Sequence, residues 1–278
     1  MVRRKRGPQK NNDEGSAWRC PVGDGPRSFA KSASRTLDVL EYLCAAGEPV
    51  RASDIANGVG MPRSSADQLL KTLTTSGHLV MLDDKRYFPS IRFARLGRSI
   101  AACYPRLDRW HAIQDRLHEE FGETVTLTMQ NDCFMQVMRT ARSRDYPTVD
   151  EGACVPIVGS AVGGACLSTK PERIARTMLA RARRRDALLA GSDSERTFLE
   201  DVRLSRTMGY SRRLTRWSKE GQTLDCWSVA MALPDSAGAD QVVLGMAGPV
   251  QRVRPMERRI VNSMLRLIRS TAPQTAAG

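Results

Sequence analysis

A chain of 278 residues has room for two ordinary domains, and 41% hydrophobic with 26% charged residues is a globular rather than a disordered composition. The formal charge of +13 attracts polyanions, with nucleic acid the commonest intracellular candidate. Apolar runs of about 18 residues are lacking and Met1-Val2-Arg3-Arg4-Lys5-Arg6 is no secretory signal, so a soluble, cytoplasmic chain with no membrane partner is expected. Cysteines stand at 20, 44, 103, 133, 154, 166 and 226, an odd number without a Cys-x-x-Cys pair. That speaks against a disulfide framework or a structural zinc site, and neither a metal nor a cofactor is expected.

Residues 1–30 mix basic residues with Gly, Pro, Asn and Asp without periodicity, which predicts a disordered basic tail. From Ser32, Leu37, Leu40 and Cys44, flanked by Val39 and Leu43, predict a first helix ending at Gly47 and Pro49. Ser53 can cap a short second helix carrying Ile55, Ala56 and Val59. After the turn at Gly58 and Gly60, a third helix starts near Pro62 and ends near Gly77. Its Ala66, Leu69, Leu70 and Leu73 form one apolar face, and Ser64, Gln68, Lys71 and Thr75 the opposite one. Leu79 to Leu82 and Tyr87 to Phe88 flank the polar turn Asp83-Asp84-Lys85-Arg86 as a hairpin. Three helices and a hairpin in this order predict a winged helix-turn-helix.

Further on, Leu107, Trp110, Ile113, Leu117 and Phe121 predict a connecting helix ended by Gly122. His111, Asp115 and His118 share one side of it, which permits a metal site in principle but matches no zinc motif; a polar flank is the simpler reading. Strands are expected at Thr124 to Gln130, Phe134 to Thr140, Trp227 to Leu233 and Gln241 to Gly248, the last two separated by a turn at Pro234 to Asp240. Helices are expected at Ala161 to Ser168, at Pro171 to Leu189, after a capping box at Ser192-Asp193-Ser194-Glu195 as far as Met208-Gly209, and from Pro255 onward. An α/β sensor-like domain accounts for this half.

The segments Ser34 to Leu40, Asp54-Ile55-Ala56, Gly60 to Ser65, Leu69 to Leu73 and Gly77 to Val80 resemble, in order, the DNA-binding domain of IclR-type transcriptional regulators, and Arg86 to Gly97 resembles that family's exit from the wing. Similarity continues more loosely through Gly152 to Ala165, Met208 to Ser211, Gly221 to Leu233 and Ala247 to Arg252, spanning about 31–271. The resemblance implies an α/β multidomain protein: an N-terminal winged helix-turn-helix at 31–95, a linker helix at 96–121 and a C-terminal GAF-like α/β effector-binding domain at 122–271, with a short tail at 272–278. It further implies a homodimer or tetramer, a double-stranded DNA operator and a small organic effector. By the same resemblance Val158, Gly159, Ser160, Ala161 and Val162 face Asp225, Cys226 and Ser228 across the effector pocket. Val158 and Gly164 stand where the family usually has polar or cationic residues, and Asp225 adds negative charge, so a neutral or apolar effector, or a pocket that has lost its ligand, is expected.

On the third helix, hydroxyl, amide and ammonium groups suit phosphates and base edges. Arg63, Ser64 and Ser65 lie at the helix N-terminus, where a phosphate is favoured; Gln68 is the best base reader, and Lys71, Thr75, Lys85 and Arg86 complete the DNA-contact set. The family more often has arginine at the position of Gln68, so an adenine rather than guanine preference is expected. The alternative functions are a redox-responsive regulator using Cys226 and Cys154, or a cysteine-dependent enzyme with Cys226 or Cys166 as nucleophile. A nucleophilic cysteine needs a partner base, and His78, His111 and His118 lie far from these cysteines in the expected organisation. No catalytic residue is assigned.

Overall fold

The computed structural model describes residues 30–104, 106–146, 148–185, 194–219, 222–234 and 241–270. Of the expected tails at 1–30 and 272–278 all but residue 30 lies outside them, as do most of the turn at 234–240 and the end, 186–189, of the helix expected at Pro171 to Leu189. The described residues form two compact units, one up to residue 104 and one from residue 106.

In the first unit, α1 (Lys31–Ala46), α2 (Ala52–Val59) and α3 (Arg63–Thr75) precede β2 (Leu79–Met81) and β3 (Arg86–Pro89), with the two-residue β1 (Val50–Arg51) completing a sheet of order β1-β3-β2. Val39, Leu43, Ile55, Ala66 and Leu70 are fully buried at its centre, so the apolar stripes of the three helices meet in one core. Gly60 ends α2 with φ +67, a left-handed conformation that only glycine adopts without strain, and α3 begins three residues later. Two local expectations fail. The second helix is preceded by Arg51 with no side-chain cap, and the Ser53 hydroxyl bonds Asp54 Oδ1 inside the first turn. The stretch 96–121 is not one helix: α4 (Ile91–Ala101) already starts after Ser90, whose hydroxyl accepts from the Arg92 N–H, and α5 (Leu107–Phe121) is separate.

The second unit is built on an antiparallel sheet of order β6-β5-β4-β9-β8-β7, comprising β4 (Thr124–Asn131), β5 (Phe134–Ala141), β6 (Cys154–Pro156), β7 (Ser211–Lys219), β8 (Gln222–Ala232) and β9 (Val242–Pro249). Helices α6 (Ala161–Ser168), α7 (Glu172–Arg185) and α8 (Glu195–Met208) pack together over the largest core, in which Ile157, Cys166, Leu167, Leu179, Ala230 and Val243 are among the most buried. Helix α5 packs against β4 and against α10 (Glu257–Ser270), which follows one helical turn, α9 (Val250–Val253), and a 3-10 turn at Arg254–Met256. Architecture and strand arrangement are those of a GAF-like α/β domain.

Here too the differences have physical reasons. The cap of α8 is Ser194, accepting from the Thr197 N–H at 3.2 Å, while Ser192 and Asp193 of the expected box lie outside the described residues. Strand β7 is hidden in the sequence by Arg212, Arg213 and Arg216, which read as a polar loop but are paired with Glu257, Asp201 and Asp225. The last helix starts at Glu257, two residues beyond Pro255. The glycine pair before the core of α6 serves close packing: a Cβ on Gly163 would lie 1.8 Å from the Ile157 carbonyl oxygen, and one on Gly164 2.4 Å from Ser211 Oγ.

Candidate nucleic-acid interface and ligand cavity

Helix α3 buries Ala66, Leu70 and Leu73 and turns Ser64, Gln68, Lys71 and Thr75 outward as one exposed stripe, all four at helical spacing. Arg63 opens the helix exposed, while Ser65 is only half-exposed. The helix rests on α2 through the core, so its outer face is carried on a rigid base. Lys85 occupies the tip of the β2–β3 hairpin with φ +58, held there as its N–H bonds the Leu82 carbonyl at 2.9 Å. Arg86 is not free: its guanidinium is salt-bridged to Asp84 within the same turn. The structure thus brings the α3 stripe together on one surface and holds Lys85 and Arg86 on the separate wing.

The second unit contains a cavity of about 200 Å³ between the sheet and the segment that enters α6. Val158, Gly159, Ser160, Ala161 and Val162 line it, as do Cys226 and Ser228. Asp225 does not. Strand alternation sends it to the other side of β8, where it accepts from Arg216 Nε at 2.9 Å. Gly164 likewise lies outside the cavity, packed on Ser211.

Most of the wall comes from residues that sequence reasoning does not single out. Thr124, Thr126 and Thr128 line one side from β4, Gly245 and Ala247 from β9, and Tyr146, Thr148 and Val149 from the segment between β5 and β6. A signal exists: threonines at every second position of Thr124-Val125-Thr126-Leu127-Thr128 mark a polar strand face, and Thr124 and Thr128 are nevertheless buried. Ser160 caps α6, its hydroxyl accepting from the Gly163 N–H at 3.1 Å and donating to the Pro156 carbonyl at 2.6 Å.

One end of the cavity is closed by a charged knot. Glu123, 3% exposed, accepts from Tyr146 Oη at 2.8 Å and is salt-bridged to Arg252 at 2.9 Å. Arg252 also bonds Asp145 at 2.8 Å, and its guanidinium lies 5.5 Å from the Tyr146 ring centre. Tyr146 Oη takes the Thr124 N–H at 3.1 Å as well, and burial pushes its pKa up to about 12.

The chemistry of the cysteines counts against the alternative functions. Cys226 and Cys166 are buried, and desolvation raises each thiol pKa to about 11, so the thiolate that nucleophilic or oxidative chemistry requires is scarce near neutrality. Cys154 is disulfide-bonded, whereas Cys44, Cys103, Cys133, Cys166 and Cys226 are free. On α5, the residues whose spacing permits a metal site are engaged separately: Asp115 pairs with Arg139 at 2.8 Å, and His118 Nδ1 donates to the Glu123 carbonyl at 2.7 Å. Among the described residues there is no group of three His, Cys, Asp or Glu side chains placed to hold a metal ion, and no helix is long and apolar enough to cross a membrane.

A winged helix-turn-helix with an exposed polar stripe on its third helix, followed by an α/β domain enclosing a small-molecule-sized cavity, defines a DNA-binding transcriptional regulator. Comparison makes the class specific. Residues 32–80 match the IclR helix-turn-helix domain. The acetate operon repressor of Salmonella typhimurium is 25% identical over 253 residues, covering 88% of each chain. The IclR structure of Thermotoga maritima superposes with a TM-score of 0.63 at 17% identity, over 88% of this chain and all of that one (100%). An IclR homologue from Microbacterium hydrocarbonoxydans, complexed with 4-hydroxybenzoate, superposes with a TM-score of 0.59 at 17% identity, over 86% of this chain and 98% of that one. Over most of its length the chain is similar to IclR-type transcriptional regulators, and its first unit carries their helix-turn-helix domain.

Proposed function

We propose that the protein is a cytoplasmic homodimer, or a tetramer built from two such dimers, that binds a double-stranded DNA operator through α3 and is switched by a small organic effector held in the cavity of its second domain. The observation that carries the reading is the α3 stripe, a polar surface mounted on a fully buried apolar face. In this reading Gln68 faces base edges, Arg63, Ser64, Ser65, Lys71 and Thr75 meet phosphates and sugars, and Lys85 and Arg86 track the backbone from the wing. The winged helix-turn-helix comprises 31–95, the connecting region 96–121, the effector domain 122–271, and the ends 1–30 and 272–278 are tails. No catalytic residue is invoked, and the relatives are regulators rather than enzymes.

Two copies of α3 entering successive major grooves require a roughly palindromic site. Helix α4 supports the dimer: it has no buried residue, and Leu96 and Ile100, one turn apart on the same side, are both largely exposed, an apolar patch that a second copy would cover. An effector that binds one dimer geometry more tightly than another shifts the spacing of the two recognition helices, and differential affinity is the only way it can. The 4-hydroxybenzoate held by the Microbacterium hydrocarbonoxydans homologue supports a small organic molecule as effector. In the cavity of this chain Val158 to Val162, Cys226 and Ser228 would contact it directly, and Asp225 would act from behind β8.

The test is a footprint of the full-length protein on DNA upstream of its own gene and neighbouring genes, followed by titration of binding against salt. Protection of a palindromic site with a steep salt dependence supports the reading. Affinity that is weak and equal for all sequences would overturn it.

A further inference from the structure

We propose that the cavity is built for an uncharged, largely apolar ligand bearing a hydrogen-bonding oxygen, and that it discriminates against carboxylates. This rests on the reading of the cavity as an effector site and deepens it. The size comes first: about 200 Å³ is somewhat more than the roughly 150 Å³ of a cavity that accommodates benzene, so one substituted ring or an aliphatic molecule of similar bulk fills it.

Charge decides the class. Among the described residues that line the cavity the one cationic residue is Arg216, whose side chain lies 73% exposed and is paired at 2.9 Å with Asp225 on the far side of β8. At the opposite end Arg252 is spent on Glu123 and Asp145. Among the described residues a carboxylate entering the cavity would therefore meet no unpaired guanidinium or ammonium, and two carboxylates, Asp225 and Glu123, stand just behind its walls. Cys226, which lines the cavity, senses them: after burial itself, Asp225 and Glu123 are what raise its thiol pKa. The field that opposes a thiolate there opposes any other anion. An ion without a charged partner in this wall would also lose its hydration uncompensated.

The same wall suits a neutral polar group. The hydroxyls of Thr126 and Ser228 have no hydrogen-bond partner among the described residues, and both line the cavity. They stand two strands apart, on β4 and β8 with β9 between, hence about 10 Å or slightly more from each other. A hydroxyl, carbonyl or ether oxygen can bond either of them. The partial positive charge at the start of α6 favours the negative end of such a dipole, without the full charge of an anion. An organic cation would find no unpaired carboxylate to bond either, since Asp225 and Glu123 are held by Arg216 and Arg252, so its lost hydration would go uncompensated as well.

Cys226 supplies a probe that needs no knowledge of the natural ligand. The full-length protein is treated, at physiological ionic strength, with uncharged methyl methanethiosulfonate or anionic sulfonatoethyl methanethiosulfonate, and modification of Cys226 is followed by peptide mass spectrometry, with Cys226→Ser as the control for assignment. The same two reagents on the urea-unfolded chain give their intrinsic rates. The uncharged reagent is expected to outpace the anionic one at Cys226 in the folded protein by about tenfold beyond the unfolded-state ratio. Asp225→Asn should narrow that gap, because it removes one of the two opposing charges. A folded-state ratio equal to the unfolded one, or favouring the anion, would overturn the proposal. So would a Cys226 that the uncharged reagent reaches only after unfolding. Operator affinity measured before and after labelling is a separate readout: the charge preference can hold whether or not cavity occupancy regulates DNA binding, so the two ideas fail independently.

Discussion

The hydroxyl of Tyr146 lies 2.8 Å from the carboxylate of Glu123, a residue that follows immediately on Gly122, the C-terminal cap of α5. Tyr146 lines the cavity, and α5 is the element through which the chain enters the second domain, so the contact joins the cavity wall to the root of the connecting helix. The same hydroxyl lies 2.7 Å from the Ala247 carbonyl and holds one proton for two acceptors. Its pKa is raised to about 12, mainly by burial, so in the folded state it stays protonated where an unfolded tyrosine, near 10, has ionised. The unfolded state alone loses this proton between about pH 10 and pH 12, so this group's contribution to stability is complete below pH 10 and falls as pH rises through that window. Tyr146→Phe should cost about 1–2 kcal/mol at neutral pH by stranding part of the knot, and should lose this portion of the alkaline destabilisation. Urea denaturation of both proteins at pH 8 and pH 11 checks it; parallel losses in the two would refute the assignment.

Close approach at the same knot gives a second prediction. A Cβ on Gly248 would fall 2.3 Å from Glu123 Oε2 and 2.9 Å from Tyr146 Oη. Gly248→Ala must therefore displace a buried, salt-bridged carboxylate, and a loss of about 1–3 kcal/mol is expected. The loss should be smaller in the Tyr146→Phe background, where part of the knot is already undone. A double-mutant cycle from thermal unfolding reads the coupling, and strict additivity would show that the two residues do not share the site.

How much of this is legible in the sequence differs between the two halves for a physical reason. In the first unit each helix carries its own apolar stripe, and Gly47 and Gly60 end the first two in the left-handed conformation, so periodicity and punctuation suffice to place α1 to α3. The exact start of α2 escapes them, because Ser53 has the chemistry of a cap but bonds Asp54 instead. In the second unit α6 and the β4–β5 hairpin are closely legible, since Asn131-Asp132 marks the turn and Asp132 does adopt a positive φ of 52. β7 is invisible because its arginines are neutralised by Asp201, Asp225 and Glu257, partners that only the fold brings near. The cavity is half legible. The loop before α6 carries a family pattern, but Tyr146, Thr148 and Val149 enter the wall from a segment without periodicity, and Asp225, which the resemblance puts in the cavity, lies one residue out of phase with Cys226.

On α3, Gln68 and Lys71 should separate specificity from affinity. Gln68→Arg exchanges an amide suited to adenine for a guanidinium suited to guanine, so binding-site selection should return a changed base at one position in each half-site, with discrimination of about 1–3 kcal/mol. An unchanged consensus would refute base contact by Gln68. Lys71→Ala should weaken binding to all sequences alike and lower the slope of log K against log salt by about one unit for each phosphate that the lysine neutralises. Both side chains are exposed, so neither substitution should alter folding.

The apolar face of α4 tests the dimer. Leu96 is 52% exposed and Ile100 54%, and the two lie four residues apart, one turn from each other, on a helix that has no buried residue of its own. Leaving such a patch in water costs about 1.5–3 kcal/mol per large side chain relative to burial, which association would recover. Leu96→Glu together with Ile100→Glu would place charges in the centre of the proposed interface while touching none of the buried residues of the first unit. Sedimentation velocity should then report a shift from dimer towards monomer at micromolar concentration. Operator affinity should fall by about a hundredfold or more, since each half-site would be held by one recognition helix alone. A double variant that remains dimeric and binds its operator normally would show that α4 is not the contact between copies.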